Sequence, residues 1–116
     1  MSQETHYKVL KILVENSTIS QRELADQLGV SLGKTNYCLK ALLQRGLIKA
    51  RNFKNNKNKM AYAYLLTPSG LEQKSQLTLE FLQRKRIEYA VLKQEIEQLA
   101  KEAQSDQASQ ANVPGQ

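Results

Sequence analysis

Residues 24–48 read LADQLGVSLGKTNYCLKALLQRGLI, two helical patterns broken by one glycine. In the first, Leu24, Ala25 and Leu28 recur on one face. Gly29 stands where helices commonly end in a left-handed residue, and Val30 is an apolar plug at the turn. Ser31 caps a second helix that reaches Arg45 and ends at Gly46. This helix mixes buried-looking residues (Thr35, Cys38, Leu39, Leu42) with small and polar ones (Gly33, Lys34, Asn36, Tyr37, Lys40). With Thr35 at the centre of the buried arc, a rotation of about 100° per residue sends Gly33, Tyr37, Lys40 and Gln44 to the far side. Lys34 and Asn36 flank them.

Two short helices joined in this way form a helix-turn-helix, whose second helix can enter a major groove. A polar face without acids suits a surface that approaches phosphates while offering hydrogen bonds to base edges. Gly33 lets the backbone come close. Asn36 is matched to adenine, Lys34 to guanine or phosphate, and Tyr37 to phosphate or a thymine methyl. Lys40 lies on the same face. Ser31 is an N-cap that can add a phosphate contact. Ser20, Gln21 and Arg22, at the start of the preceding helix, are assigned to the DNA-facing set. Ser20 is also an N-cap, with Glu23 three residues on in the capping-box arrangement.

Upstream, residues 4–15 carry Tyr7, Leu10 and Val14, with Ile12 and Leu13, at helical spacing. Asn16 and Ser17 stop that helix, and Thr18-Ile19 is a connector with room for one β-bridge. Downstream the period changes. Leu47 to Phe53 reads as a strand, Asn55 to Asn58 as a turn, and Met60 to Leu66 as a second strand. In the second strand Tyr62 and Tyr64 share one face, and Ala61 and Ala63 the other. The hairpin tip holds Arg51, Asn52, Lys54, Asn55, Asn56, Lys57, Asn58 and Lys59 with no acid among them. It reads as a backbone clamp beside the minor groove, or else as a solvated loop. Thr67-Pro68 is a cap and first-turn proline, opening a helix that runs to about Ala103.

The fold class is therefore mainly α: an α+β winged helix-turn-helix with a long, coiled-coil-like C-terminal helix. Three segments are expected. Residues 1–70 are the DNA-binding domain, 71–104 the dimerisation helix, and 105–116, SDQASQANVPGQ, a disordered tail. Charge follows the same division. Residues 1–66 hold 11 Lys/Arg against 4 Asp/Glu, a net of +7, whereas residues 67–104 hold 6 against 6. A basic module joined to a neutral helix fits polyanion binding, with an inert basic surface as the alternative.

The stretch from Gln21 to Gly70 resembles the winged helix-turn-helix of MarR-type bacterial regulators. It includes Gly46-Leu47-Ile48 and the LT-x-x-G string Leu66-Thr67-Pro68-Ser69-Gly70. More narrowly, GVSLGKTNYCLKAL with NFKNNKNKMAYAYLLTPSG is similar to the small MarR-like regulators associated with exopolysaccharide gene clusters. The resemblance spans about residues 4–103. It implies control of polysaccharide synthesis genes. Larger MarR proteins flank the winged domain with helices at both ends and hold phenolic ligands near the dimer interface. This chain has a short N-terminal helix and one long C-terminal helix, and its sequence names no effector.

The long helix carries a heptad seam. Ser75, Leu82, Tyr89, Ile96 and Ala103 are seven apart, and Leu71, Thr78, Lys85, Leu92 and Leu99 form the second set. The seam covers about 33 residues, roughly 50 Å at 1.5 Å per residue. Leu82, Tyr89, Leu92, Ile96 and Leu99 are the dimerisation residues. Lys85 weakens the seam and can fix its register. Leu77, Phe81 and Val91 lie off it, the first two suited to holding the helix base. The seam could instead bury itself on its own domain.

No nucleophile–base pair, paired carboxylates or glycine-rich phosphate loop is present, so the chain is read as a non-enzyme without a cofactor. His6 is the single histidine, read as a surface residue, and no metal site is expected. Cys38 is a core residue or, alternatively, a redox sensor. No apolar run approaches the roughly 20 residues that span a bilayer, and the N-terminus lacks the pattern of a secretory signal. A cytoplasmic protein with no membrane partner is expected. Two function classes stand: a double-stranded DNA-binding regulator acting as a homodimer, and a winged protein-interaction module whose coil binds another protein. An acid-free tip and a net of +7 on 66 residues favour the first.

Overall fold

The computed structural model describes residues 2–111. The elements run α1 (Gln3–Glu15), α2 (Gln21–Leu28), α3 (Leu32–Gln44), β1 (Ile48–Lys54), β2 (Met60–Leu66) and α4 (Pro68–Ala111). The fold is a winged helix-turn-helix of α+β class with a long C-terminal helix. Serine caps three of the helices: the hydroxyls of Ser2, Ser20 and Ser31 accept from the N–H groups of Thr5, Glu23 and Lys34. Each satisfies a donor that the first helical turn leaves open. Gly29 ends α2 at φ 69°, and its neighbour Val30 donates its N–H to Ala25 O at 3.1 Å.

The three short helices close around one core. Leu10, Leu13, Leu24, Leu39 and Leu42 are buried to 1% exposure or less. Each contributes about 1.5–3 kcal/mol of transfer free energy. Thr35 lies fully buried among them, its hydroxyl donating to Ser31 O at 3.0 Å, so no polar atom is stranded there. In α1 the buried residues are Val9, Leu10 and Leu13. Val14, expected on that stripe with Tyr7 and Leu10, is 51% exposed. One residue past Leu13 turns it out of the core, into a groove it shares with Leu71, Ser75 and Leu79.

The wing is an antiparallel hairpin with Ile48 opposite Leu66 and Lys54 opposite Met60. The first strand begins at Ile48 rather than Leu47, because the Leu47 N–H donates to Leu42 O and closes the end of α3. The connector forms no third strand among the described residues, but the Tyr64 N–H donates to Ser17 O at 2.9 Å.

Residues 46–47 and 67–70 form a clasp between the end of α3 and the start of α4. The Thr67 hydroxyl donates to Gly46 O at 2.6 Å and accepts from the Gly70 N–H at 3.1 Å. The Thr67 N–H donates to Leu47 O. A Cβ at Gly70 would overlap that same Leu47 carbonyl, so the glycine is required by the close approach.

The chain divides into two compact units, up to Leu79 and from Glu80. The first extends past the expected boundary at residue 70, and Leu77, 2% exposed, is part of its core. In the second unit every described side chain but the half-buried Phe81 is exposed, and Arg84 places its guanidinium 5.0 Å from the Phe81 ring centre. Lys85 pairs with Glu88 at 3.1 Å along its own helix. Residues 105–111, expected to be disordered, continue α4. Their polarity bars burial but not helix, since an established helix propagates through Ala and Gln at little cost. Residues 112–116 of that expected tail lie outside the described residues.

Candidate nucleic-acid interface

Helix α3 leaves most of its polar face exposed. Ser31, Gly33, Lys34, Tyr37 and Lys40 are exposed, Tyr37 by 67%, and Asn36 is half-buried. A Cβ built on Gly33 meets nothing nearer than Ser31 Oγ at 4.0 Å. The fold itself therefore does not require glycine there, unlike at Gly70. Leu32, absent from the expected set, is 46% exposed at the first turn of α3. An apolar residue directly after a cap serine was the available signal for it.

At the start of α2, Ser20 and Arg22 are exposed and Gln21 is half-buried. Gln21 faces inward: Nε2 donates to Tyr64 Oη and Oε1 accepts from Asn36 Nδ2, both at 3.1 Å. Ser20 and Gln21 also line a groove of about 270 Å³ with Phe53, Asn55, Tyr62 and Tyr64, so the start of α2 and the wing border one recess.

On the wing, Arg51, Asn52 and residues 54–59 are exposed. Asn55 and Asn58 build the turn. The Asn55 side-chain oxygen accepts from the N–H groups of Lys57 (2.9 Å) and Lys59 (3.1 Å), and Asn58 adopts φ 60°. Asn tolerates both roles better than most residues. The turn leaves the lysines on its outside. Among the described residues none of Lys34, Lys40, Arg51, Lys54, Lys57 or Lys59 is in an ion pair; the pairs present are Lys8–Glu4 and Lys85–Glu88. These six cations stand unpaired.

Two residues outside this surface behave differently from each other. Cys38 is fully buried, and burial pushes its thiol above the usual range. A protonated thiol in a core packs and is a poor nucleophile, which favours the packing role over redox sensing. His6, expected at the surface, has a buried Nε2 with no hydrogen-bond partner among the described residues. Burial first, then the Arg45 charge, holds its pKa below the ordinary value.

Among the described residues no group of His, Cys, Asp or Glu could hold a metal ion, and no helix is long and apolar enough to cross a membrane.

Residues 2–49 match the family of winged helix-turn-helix DNA-binding domains. No curated protein matches the chain in sequence. Several solved structures share its fold. The PcaV transcriptional regulator from Streptomyces coelicolor superposes with a TM-score of 0.61 at 21% identity, covering 87% of this chain and 79% of that one. A MarR/EmrR family transcriptional regulator from Acinetobacter sp. ADP1 gives 0.60 at 19% identity over 90% and 75%. The adhesin competence repressor AdcR from Streptococcus pyogenes gives 0.63 at 15% identity over 94% and 81%. These proteins are regulators and a repressor, none of them an enzyme, and at such identities the likeness is one of fold.

Proposed function

We propose that this chain is a sequence-specific double-stranded DNA-binding transcriptional regulator that acts as a homodimer in the cytoplasm. The observation that carries this reading is the outer face of α3. It is polar and acid-free, it bears unpaired cations, and it includes a glycine that no internal packing requires. In this reading Lys34, Asn36, Tyr37 and Lys40 meet the major groove, with Gly33 allowing close approach and Ser31 contacting phosphate. Leu32 joins them as an apolar contact for a thymine methyl. Ser20 and Arg22 grip the backbone, and Arg51, Lys54, Lys57 and Lys59 straddle it from the wing.

The dimer rests on α4. Leu82 (44% exposed), Tyr89, Leu92, Ile96 and Leu99 (62%) leave an apolar stripe uncovered in the single chain, as a coiled-coil partner would require. Val14, Leu71 and Leu79 add exposed apolar surface within the first unit. Control of exopolysaccharide genes rests only on the resemblance of the GVSLGKTNYCLKAL and NFKNNKNKMAYAYLLTPSG strings. A footprint upstream of the chain's own gene and of neighbouring polysaccharide genes tests it.

The test of base reading is a binding selection on randomised duplexes with wild type and Asn36→Ala. A bidentate Asn–adenine pair discriminates by about 1–3 kcal/mol. Asn36→Ala should therefore relax one base pair per half-site and leave non-specific binding nearly intact. The half-sites should form an inverted repeat about one helical turn or a multiple apart. The same motif at every position from both proteins would exclude Asn36 as a reader.

A further inference from the structure

The carboxamide of Asn36 ends a chain of two hydrogen bonds. Its Nδ2 donates to Gln21 Oε1, and Gln21 Nε2 donates to Tyr64 Oη. The chain joins three elements: the start of α2, the recognition helix and wing strand β2. Its far end is anchored. Tyr64 is 7% exposed, its N–H donates to Ser17 O at 2.9 Å, and its ring stacks on Tyr62 with centroids 6.2 Å apart. Asn36 is the end of the chain on the recognition helix.

We infer that Gln21 and Tyr64 are positioning residues: they hold the Asn36 carboxamide and tie its orientation, and with it the purine it reads, to that of the Gln21 amide. The inference rests on Asn36 being a base reader. A carboxamide reads adenine by accepting from N6 and donating to N7. With one Nδ2 hydrogen given to Gln21, Asn36 keeps a second N–H and its oxygen, the adenine pattern. Turning Asn36 alone would set its oxygen against Gln21 Oε1, two acceptors face to face. Turning both amides restores the bonds, with the Tyr64 hydroxyl as donor. Asn36 then offers two N–H groups, which suit the N7 and O6 acceptors of guanine. The tyrosine hydroxyl can serve either polarity, so the two amides turn together, and the orientation of Gln21 is tied to that of Asn36.

Gln21→Met removes both bonds, Tyr64→Phe removes the outer one, and Gln21→Glu keeps both but accepts at each end. The last forces Asn36 to donate and so fixes the adenine polarity. Two readouts apply to the full-length chain after thermal melting has shown each variant folded. The first is the side-chain amide resonance of Asn36 in DNA-free protein: it should lose exchange protection in Gln21→Met and retain it in Gln21→Glu. The second is the selection on randomised duplexes. Gln21→Met should lose about twofold to tenfold of the adenine preference at the base pair that Asn36→Ala relaxes, the cost of ordering one side chain on binding. Tyr64→Phe should lose less. Gln21→Glu should keep that preference and discriminate more strongly against guanine, while binding every duplex more weakly through its added negative charge. An Asn36 resonance unchanged by Gln21→Met, or a Gln21→Glu motif as relaxed as that of Gln21→Met, overturns the positioning role and leaves base reading standing. If Asn36→Ala itself returns the wild-type motif, base reading fails and the positioning role falls with it.

Discussion

The two compact units of this chain solve the problem of folding in opposite ways. The first, up to Leu79, packs leucines from three short helices to near-complete burial and carries the net positive charge. The second, from Glu80, is helix through its described residues, and its apolar side chains from Leu82 to Leu99 all stand exposed. A single helix gains hydrogen bonds and little burial, and most helical stability in proteins comes from packing. The same residue type, leucine, thus fills the core of the first unit and stands exposed along the second. The largest expected effects test this contrast directly. Leu42→Ala, at a fully buried site, should lower unfolding free energy by about 2–5 kcal/mol in a denaturant titration. Leu99→Ala, at a site 62% exposed, should change it far less at concentrations too dilute for association. Equal losses at the two sites would erase the distinction between the units.

The next effect concerns assembly. Leu92→Asp with Ile96→Asp places two charges on the stripe, and a buried unpaired charge is costly. The double variant should be monomeric by light scattering and bind DNA more weakly, with the melting of the first unit unchanged. A wild type that is itself monomeric at micromolar concentration would remove the reason for the stripe.

A smaller effect separates the units by charge. Lys54→Ala, Lys57→Ala and Lys59→Ala together should weaken binding to all duplexes alike. They should flatten the slope of log affinity against log salt by up to about 0.9 per lost phosphate contact. The matching triple in the second unit, Lys85→Ala, Lys93→Ala and Lys101→Ala, should leave the slope unaltered. If both triples flatten it equally, the wing has no special part in holding DNA.

The smallest effect is acid sensitivity, expected from the first unit. His6 has its folded pKa below the ordinary 6.5, mainly through burial. The unfolded chain therefore takes up the proton first, and stability is lost as pH falls through that value toward the lower folded one. His6→Gln should reduce the decline in Tm on acidification. A decline of the same size in the variant would assign it to other groups.

Much of the winged unit was legible because its signals are local. Ser20, Gly29, Ser31 and Gly46 each set a helix end through their own backbone or hydroxyl, and the arc of Thr35, Cys38, Leu39 and Leu42 follows from helical geometry alone. The hairpin was equally readable, down to the Asn-rich turn. The misjudged residues depend on neighbours distant in sequence. Val14 and Val9 differ by which side of α1 meets the rest of the core, and His6 is half-buried with its Nε2 enclosed. The extension of α4 to Ala111 was missed because polarity was read as disorder, although a helix already formed needs no burial to continue.

Element order, the caps at Ser20 and Ser31, turn chemistry, the asymmetric charge and the polar face of α3 are all consequences of residues within a few positions of one another. That Gly46-Leu47 and Thr67–Gly70 are two halves of one clasp emerges from folding alone. So does the inward turn of Gln21 to bridge Tyr64 and Asn36, which lie 43 and 15 residues away along the chain. A hydrogen bond needs its partners within about 3 Å, and no local pattern records which distant residue folding will bring that close.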